Sequence, residues 1–296
     1  MIIVQDYLYV TKSLYYVHKW IFPIAILIAC IGVFAALLYM LGRVSEVPEK
    51  RAGNESREYA GYVRLVVLVD NNPYKEGLET AWGLAVYLET DQTKLLFDTG
   101  PDPGVLERNA EKLGIDLSKM DFIVISHPHG DHTGGLKLLS SMKPGLRVYM
   151  PPDQSLKNYV QSLGLEPIPV NSTVEVAKGI FVVKPLYGPP VEEALAVKTS
   201  KGLAILVGCS HPGVVNLVNQ AVRDLGIKPY LVLGRFHMFG ASLQDVKEVA
   251  SRLVEMGAEK IYPIHCSGDI LRNYLANSYR DKYGDGGVGL EIVIQR

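Results

Sequence analysis

The chain has 296 residues, 48% of them hydrophobic and 21% charged, with a formal net charge of −1. That is ample for one large or two small domains, and it excludes the broad basic field of a nucleic-acid binder. Three cysteines in so long a chain exclude a disulfide framework.

In chain order, Ile21 to Leu41 runs without a charge. A helix of that length spans the roughly 30 Å of a bilayer's hydrocarbon core. Trp20 and Tyr39 flank it where interfacial aromatics belong, and Pro23 falls in a first turn that tolerates it. The expectation is one N-terminal transmembrane helix over about residues 21–41 within a segment 1–42, making a single-pass membrane protein. Arg43, Lys50, Arg51 and Arg57 follow it, against Lys12 and Lys19 before it, which places the following domain on the cytoplasmic side. Residues 43–60 are charged and poor in large apolar side chains, as in a linker. A globular domain is expected over 61–296.

Within that domain Val63–Val69, Trp82–Leu88 and Leu95–Phe97 carry strand patterns, the last running into Asp98-Thr99-Gly100. Pro103–Leu113 has helical spacing, with Asp102 as N-cap and Gly114 as stop. Phe122–Ile125 reads as a buried strand, Leu136–Met142 as a helix, Arg147–Met150 as a strand and Ser155–Leu163 as a helix. Val174–Val176, Ile180–Pro185 and Ala194–Lys198 suggest antiparallel strands. Apolar runs at Leu203–Val207, Tyr230–Leu233 and Ile261–Ile264 alternate with helices at Val214–Leu225 and Leu243–Met256, and Val288–Ile294 closes the chain as a strand. Strands separated by helices in both halves predict helices covering two packed sheets, an α/β architecture.

The chemistry concentrates between the Phe122 strand and the Leu136 helix. There Ser126-His127-Pro128-His129-Gly130-Asp131-His132-Thr133-Gly134-Gly135 puts three imidazoles and a carboxylate within six residues. Imidazole nitrogen and carboxylate oxygen are the ligands Zn²⁺ and similar ions take, so the loop predicts a divalent-metal site. His211, His237 and His265 each follow an apolar run, hence a strand end, and strand ends converging on one sheet edge are how α/β folds build sites. Cys209 and Cys266 lie within two residues of such histidines.

These motifs resemble the metallo-β-lactamase superfamily, over about Val63 to the C-terminus. Gly208-Cys209-Ser210-His211-Pro212-Gly213, Phe236-His237 and His265-Cys266-Ser267-Gly268 are similar, more narrowly, to its dihydropterin–ribofuranosylaminobenzene phosphate synthase branch. The resemblance implies an αββα sandwich with metals at one edge, two Zn²⁺ being expected, with Mn or Fe as alternatives. The chain departs from the general pattern: no histidine occurs from Thr133 to Ser210, and Gly208-Cys209 stands where a Gly-Asp pair is usual. His211 is therefore expected to supply the missing imidazole, and Cys209 or water the bridging place. Arg235 stands where the narrower branch has glycine, which points to substrate selection.

One ion is thus expected on His127, His129 and His211, and a second on Asp131, His132 and His265, with Asp98 behind them. Asp131 and His237 are the expected catalytic groups, Asp131 orienting a hydroxide and His237 protonating a leaving group. The function expected is a membrane-anchored hydrolase using metal-bound hydroxide on a small phosphoester, thioester or lactone, with no nucleic-acid partner. A pterin-synthase-like transferase and a non-catalytic metal-binding scaffold are the alternatives.

Overall fold

A computed structural model describes residues 59–296. The anticipated helix over 21–41, the segment 1–42 and most of the linker lie outside the described residues. The membrane localisation does not stand, because among the described residues no helix is long and apolar enough to cross a membrane.

Two mixed sheets form the centre. The first joins β1 (Tyr62–Val69), β2 (Ala85–Thr90), β3 (Lys94–Phe97), β4 (Phe122–Val124), β5 (Arg147–Met150) and β6 (Glu166–Pro169) in that order. The second joins β7 (Val174–Ala177), β8 (Ile180–Val182), β11 (Leu195–Thr199), β12 (Gly202–Val207), β13 (Pro229–Gly234) and β14 (Lys260–Pro263). A two-stranded ribbon pairs β9 (Leu186–Tyr187) with β10 (Val191–Glu192). The last strand, β15 (Glu291–Gln295), returns to pair antiparallel with β1. Each sheet is antiparallel in one half and parallel in the other: β3 to β6 run parallel, as do β12 to β14. Parallel strands all present their carboxyl ends at one edge, where ligands bind in α/β sheets.

Alternation along the strands produces the layers. Leu65, Val67, Leu95 and Phe97 face Leu195, Val197, Leu206 and Leu233 in one apolar cluster between the sheets. Val66, Leu68 and Leu96 point outward, onto α1 (Pro103–Lys112), α3 (Leu136–Met142) and α4 (Gln154–Ser162) through Leu106, Leu139 and Leu156. Between α1 and α3 lies a single short turn, α2 (Gly130–Thr133), carrying the histidine loop. On the other side Ile205, Val207 and Val232 meet α5 (Val214–Leu225), α6 (Leu243–Glu255) and α7 (Asp269–Ser278). The anticipated αββα sandwich is therefore present.

Several local differences have physical causes. Trp82 and Gly83 are not in a strand, because Gly83 packs so closely on the loop that a Cβ there would lie 2.3 Å from the Asp131 carbonyl. β6 carries two prolines and escapes a pattern reading, yet it is an edge strand, where proline is tolerated. Helix α7 begins at Gly268 without a side-chain cap and so announces no start. Val288–Leu290 do not join β15, which starts at Glu291.

Candidate metal centre

The carboxyl ends of β3, β4, β12, β13 and β14 supply, in turn, Asp98, His127, Cys209 with His211, Arg235 with His237, and His265. Among the described residues, four that are not glycine have left-handed backbone: Asp98 (φ 58°), Ser210 (φ 60°), His237 (φ 51°) and His265 (φ 54°). All four lie at this edge. Such conformations cost about 1–3 kcal/mol each and persist where the surroundings hold them.

Asp98 is fully buried and organises the loop above it. Its Oδ1 accepts the Ser126 backbone N–H at 2.7 Å, and its Oδ2 accepts the Ser126 hydroxyl at 2.8 Å. The same Oδ2 lies 2.6 Å from His132 Nδ1. Because the serine proton goes to Asp98, Ser126 Oγ accepts from His127 Nδ1 at 2.8 Å. His127 therefore carries its proton on Nδ1 and turns a bare Nε2 toward the site, the tautomer a metal ligand needs. His132 is held at Nδ1 by Asp98, and although burial lowers it, Asp98 and Asp131 raise its imidazole well above the ordinary range. Gly208 makes the arrangement possible: a Cβ there would sit 2.1 Å from Ser126 Oγ.

The potential ligand atoms fall into two groups, each with its atoms within 4.8 Å of one another. The first is His127, His129, Cys209 and His211; the second is Asp131, His132 and His265. The sequence-based sets are thus each brought together, with Cys209 added to the first. Its Sγ also lies 3.1 Å from His132 Nε2, so it stands between the groups.

In the first group His127 Nε2 and His129 Nδ1 approach to 3.1 Å. The buried His211 Nε2 has no hydrogen-bond partner. Burial, reinforced by neighbouring imidazoles, lowers His127 well below its ordinary range and His211 to about 4, so both rings are neutral near pH 7. Neutral, tautomer-fixed imidazoles with an unpartnered buried nitrogen fit a divalent ion. Burial pushes the Cys209 thiol up, against a lowering by His132.

The second group is different. His265 is well placed: its Nδ1 bonds Asn71, its backbone N–H donates to Asp70 at 3.1 Å, and its buried Nε2 has no partner. Yet Arg235 enters this group. Its Nη1 donates to Asp131 Oδ2 at 2.7 Å and lies 3.0 Å from His132 Nε2. Burial alone would raise the Asp131 carboxyl, but His132, His265 and Arg235 hold it well below the usual carboxylate range. Arg235, expected at the substrate, is 4% exposed and turned inward.

His237 stands at the rim, its ring 4.9 Å from that of His211. Both line a cavity of about 410 Å³ that also meets Phe236, Met238, Glu248 and Arg252.

Several residues here escaped the sequence reading. Glu192, at the end of the β9–β10 ribbon, accepts the backbone N–H of Ser210 at 2.8 Å and of His211 at 2.7 Å, fixing the His211 loop. Burial raises its carboxyl to about 7, against those two bonds. Asp70 does the same for His265 and is raised by burial to about 6. Trp82 stacks edge-on against His265, with ring centroids 4.7 Å apart. For Asp70 the available signal is a carboxylate directly after an apolar strand; for Glu192 and Trp82 none is apparent.

Comparison with known proteins agrees with this geometry. A family model described as the metallo-beta-lactamase superfamily matches residues 83–212. The chain is 25% identical to the 7,8-dihydropterin-6-methyl-4-(beta-D-ribofuranosyl)-aminobenzene-5'-phosphate synthase of Methanocaldococcus jannaschii, over 82% of this chain and 96% of that one. It is 28% identical to an uncharacterized protein of the same organism, over 69% of this chain and 90% of that one. A solved metal-dependent hydrolase of the beta-lactamase superfamily superposes with a TM-score of 0.67 at 25% identity, covering 79% of this chain and 100% of that one. A diphosphatase of the PhnP family shares the fold, with a TM-score of 0.53 at 18% identity over 79% of this chain and 97% of that one. Fold, histidine loop and these likenesses agree: residues 83–212 match the metallo-beta-lactamase superfamily, and the described chain has that superfamily's fold.

Proposed function

We propose that this chain is a metal-dependent hydrolase of a small ester-type substrate: a phosphoester, thioester or lactone. The observation that carries the reading is the convergence of His127, His129 and His211, with a buried, unpartnered nitrogen on His211, beside an open cavity. Those three residues would hold the ion, with Cys209 as a neighbour able to join them. A divalent ion there supplies Lewis-acid polarisation and brings water's pKa down to about 7.

The chain's own groups do the remaining work. Asp98, through Ser126, holds His127 in its ligand tautomer, and Glu192 holds the His211 backbone. His237 is lowered by burial, then by Arg235 and His129. It therefore keeps a lone pair near pH 7 and can move a proton at a substrate seated in the cavity. Asp131 stays ionised, its Oδ2 held by Arg235, and from there its carboxylate can orient an attacking water. Cys209 is not used as a nucleophile, since burial disfavours its thiolate.

A second reading is favoured by the likeness to the pterin synthase: the same centre would activate a substrate for transfer to an acceptor other than water. Single turnover in oxygen-18 water, run over a panel of ester substrates with metal-loaded protein, separates the two. Label in the product, abolished by chelation, is expected. Failure of every ester, with turnover only when an organic acceptor is added, would establish the transferase instead.

A further inference from the structure

We propose that the Arg235 guanidinium is the built-in second cation of this centre, so that the chain binds one metal ion rather than two. This rests on the reading above that His127, His129 and His211 hold a metal.

The guanidinium is held at several points. Nη1 donates to Asp131 Oδ2 at 2.7 Å and sits 3.0 Å from His132 Nε2, two of the three ligand atoms of the second group. Nε donates to Cys266 Sγ at 3.0 Å, and Cζ lies 5.6 Å from the centroid of the Trp82 ring. The backbone is pinned as well: Arg235 N–H donates to the Gly208 carbonyl at 3.1 Å, and its own carbonyl accepts the Ser210 hydroxyl at 2.6 Å. A side chain held at Nη1, at Nε, against an aromatic ring and at its own backbone is not a loosely placed surface arginine.

Charge and chemistry favour the same conclusion. The second group contains one carboxylate, Asp131, and two imidazoles. One carboxylate balances one positive charge, and the guanidinium supplies it. A divalent ion added beside Arg235 would leave a surplus of positive charge in a buried volume, where such repulsion is weakly screened. His132 Nε2 is also occupied: with Nδ1 held by Asp98 at 2.6 Å, Nε2 faces Arg235 Nη1 at 3.0 Å, so the guanidinium fills the place a second ion would take. Cys209 Sγ, 3.1 Å from that same nitrogen, belongs to the first group. The guanidinium thus lies one residue away from the first group, a fixed positive charge for the reacting bond. Cys266, unused by the proposed mechanism, acquires a role as the sulfur that orients Nε.

Metal content settles the matter without reference to turnover. Full-length protein is loaded with excess Zn²⁺, desalted, and its bound zinc measured by elemental analysis and native mass spectrometry. One equivalent is expected, lost in His211→Ala and kept in His265→Ala. Arg235→Ala is expected to gain a second equivalent, which Asp131→Asn then removes. Two equivalents in the wild type would overturn the role of Arg235 alone. A single equivalent that survives His211→Ala and is lost in His265→Ala would overturn it too. No bound zinc would overturn this proposal together with the metal centre itself. If Arg235→Ala does not fold, X-ray absorption on the wild type still decides: a metal–metal vector at about 3.5–4 Å contradicts the proposal, and its absence at one equivalent supports it.

Discussion

Replacing Asp98 by asparagine tests how the centre is organised. Two carboxylate oxygens receive three donors: Ser126 N–H, Ser126 O–H and His132 Nδ1–H. Asparagine keeps the shape but turns one acceptor into an NH₂ donor. Whichever way the amide lies, at least one contact becomes donor against donor. Hydrogen bonds to a charged acceptor contribute about 1.5–3 kcal/mol each, and Asp98 is fully buried, so water cannot replace them. The Ser126 hydroxyl is then free to turn, and the His127 tautomer is no longer fixed. Loss of such a supporting bond typically weakens metal affinity by about 10–100-fold, or roughly 1.4–2.7 kcal/mol. Ser126→Ala cuts only the arm that reaches His127 and should show most of that loss in affinity. The assay is competition for zinc against a chromogenic chelator, with circular dichroism confirming that each variant is folded. Unchanged affinity in a folded Asp98→Asn would refute the reasoning, because His127 would then need no help from Asp98.

Further outcomes follow from other contacts. Glu192→Gln places an amide N–H against a backbone N–H of Ser210 or His211, and zinc affinity should fall about tenfold in the same competition assay. Glu192 also bears on stability. Its folded pKa, about 7, lies above the ordinary 4.5, so the folded state keeps a proton that the unfolded chain has released. Its contribution is therefore present below pH 4.5 and lost as pH rises to about 7, roughly 3 kcal/mol over that window. Denaturant titrations of metal-free protein should show this slope, and Glu192→Gln should flatten it; equal slopes in the two proteins would contradict the assignment. Cys209→Ser should retain turnover and give no covalent adduct by mass spectrometry. A trapped adduct on Cys209 in the wild type would overturn the proposed chemistry. Finally, a fragment starting at residue 56 should fold on its own, since its early anchors are internal: Ala60 N–H donates to the Lys198 carbonyl, and Gly61 N–H donates to Asp91. Aggregation of that fragment beside well-behaved full-length protein would show that the preceding residues are needed.

Much of the fold was legible because its signals are local. Asp102 before Pro103 acts as the N-cap its position suggested, and the Leu243 helix starts close to its expected place because Ser242 closes a full capping box there. The ligand residues were legible for a related reason: His127, His211 and His265 follow apolar strands within a few residues, and His129, Asp131 and His132 cluster beside His127 on one loop. What was not legible depends on contacts distant in sequence. Glu192 meets Ser210 and His211 only because the β9–β10 ribbon folds back over their loop. Arg235 reaches Asp131 across 104 residues, so its inward turn could not be read from its neighbours. Trp82 read as part of a strand because it precedes apolar residues, but the close approach of Gly83 to the Asp131 carbonyl holds it out of the sheet.

The most direct test is anomalous diffraction at the zinc edge from crystals grown with the metal. The expected result is one peak within about 2.0–2.1 Å of imidazole nitrogens of His127, His129 and His211, with Arg235 still on Asp131. A peak among Asp131, His132 and His265 with the first three imidazoles free, or no peak at saturating zinc, would contradict it.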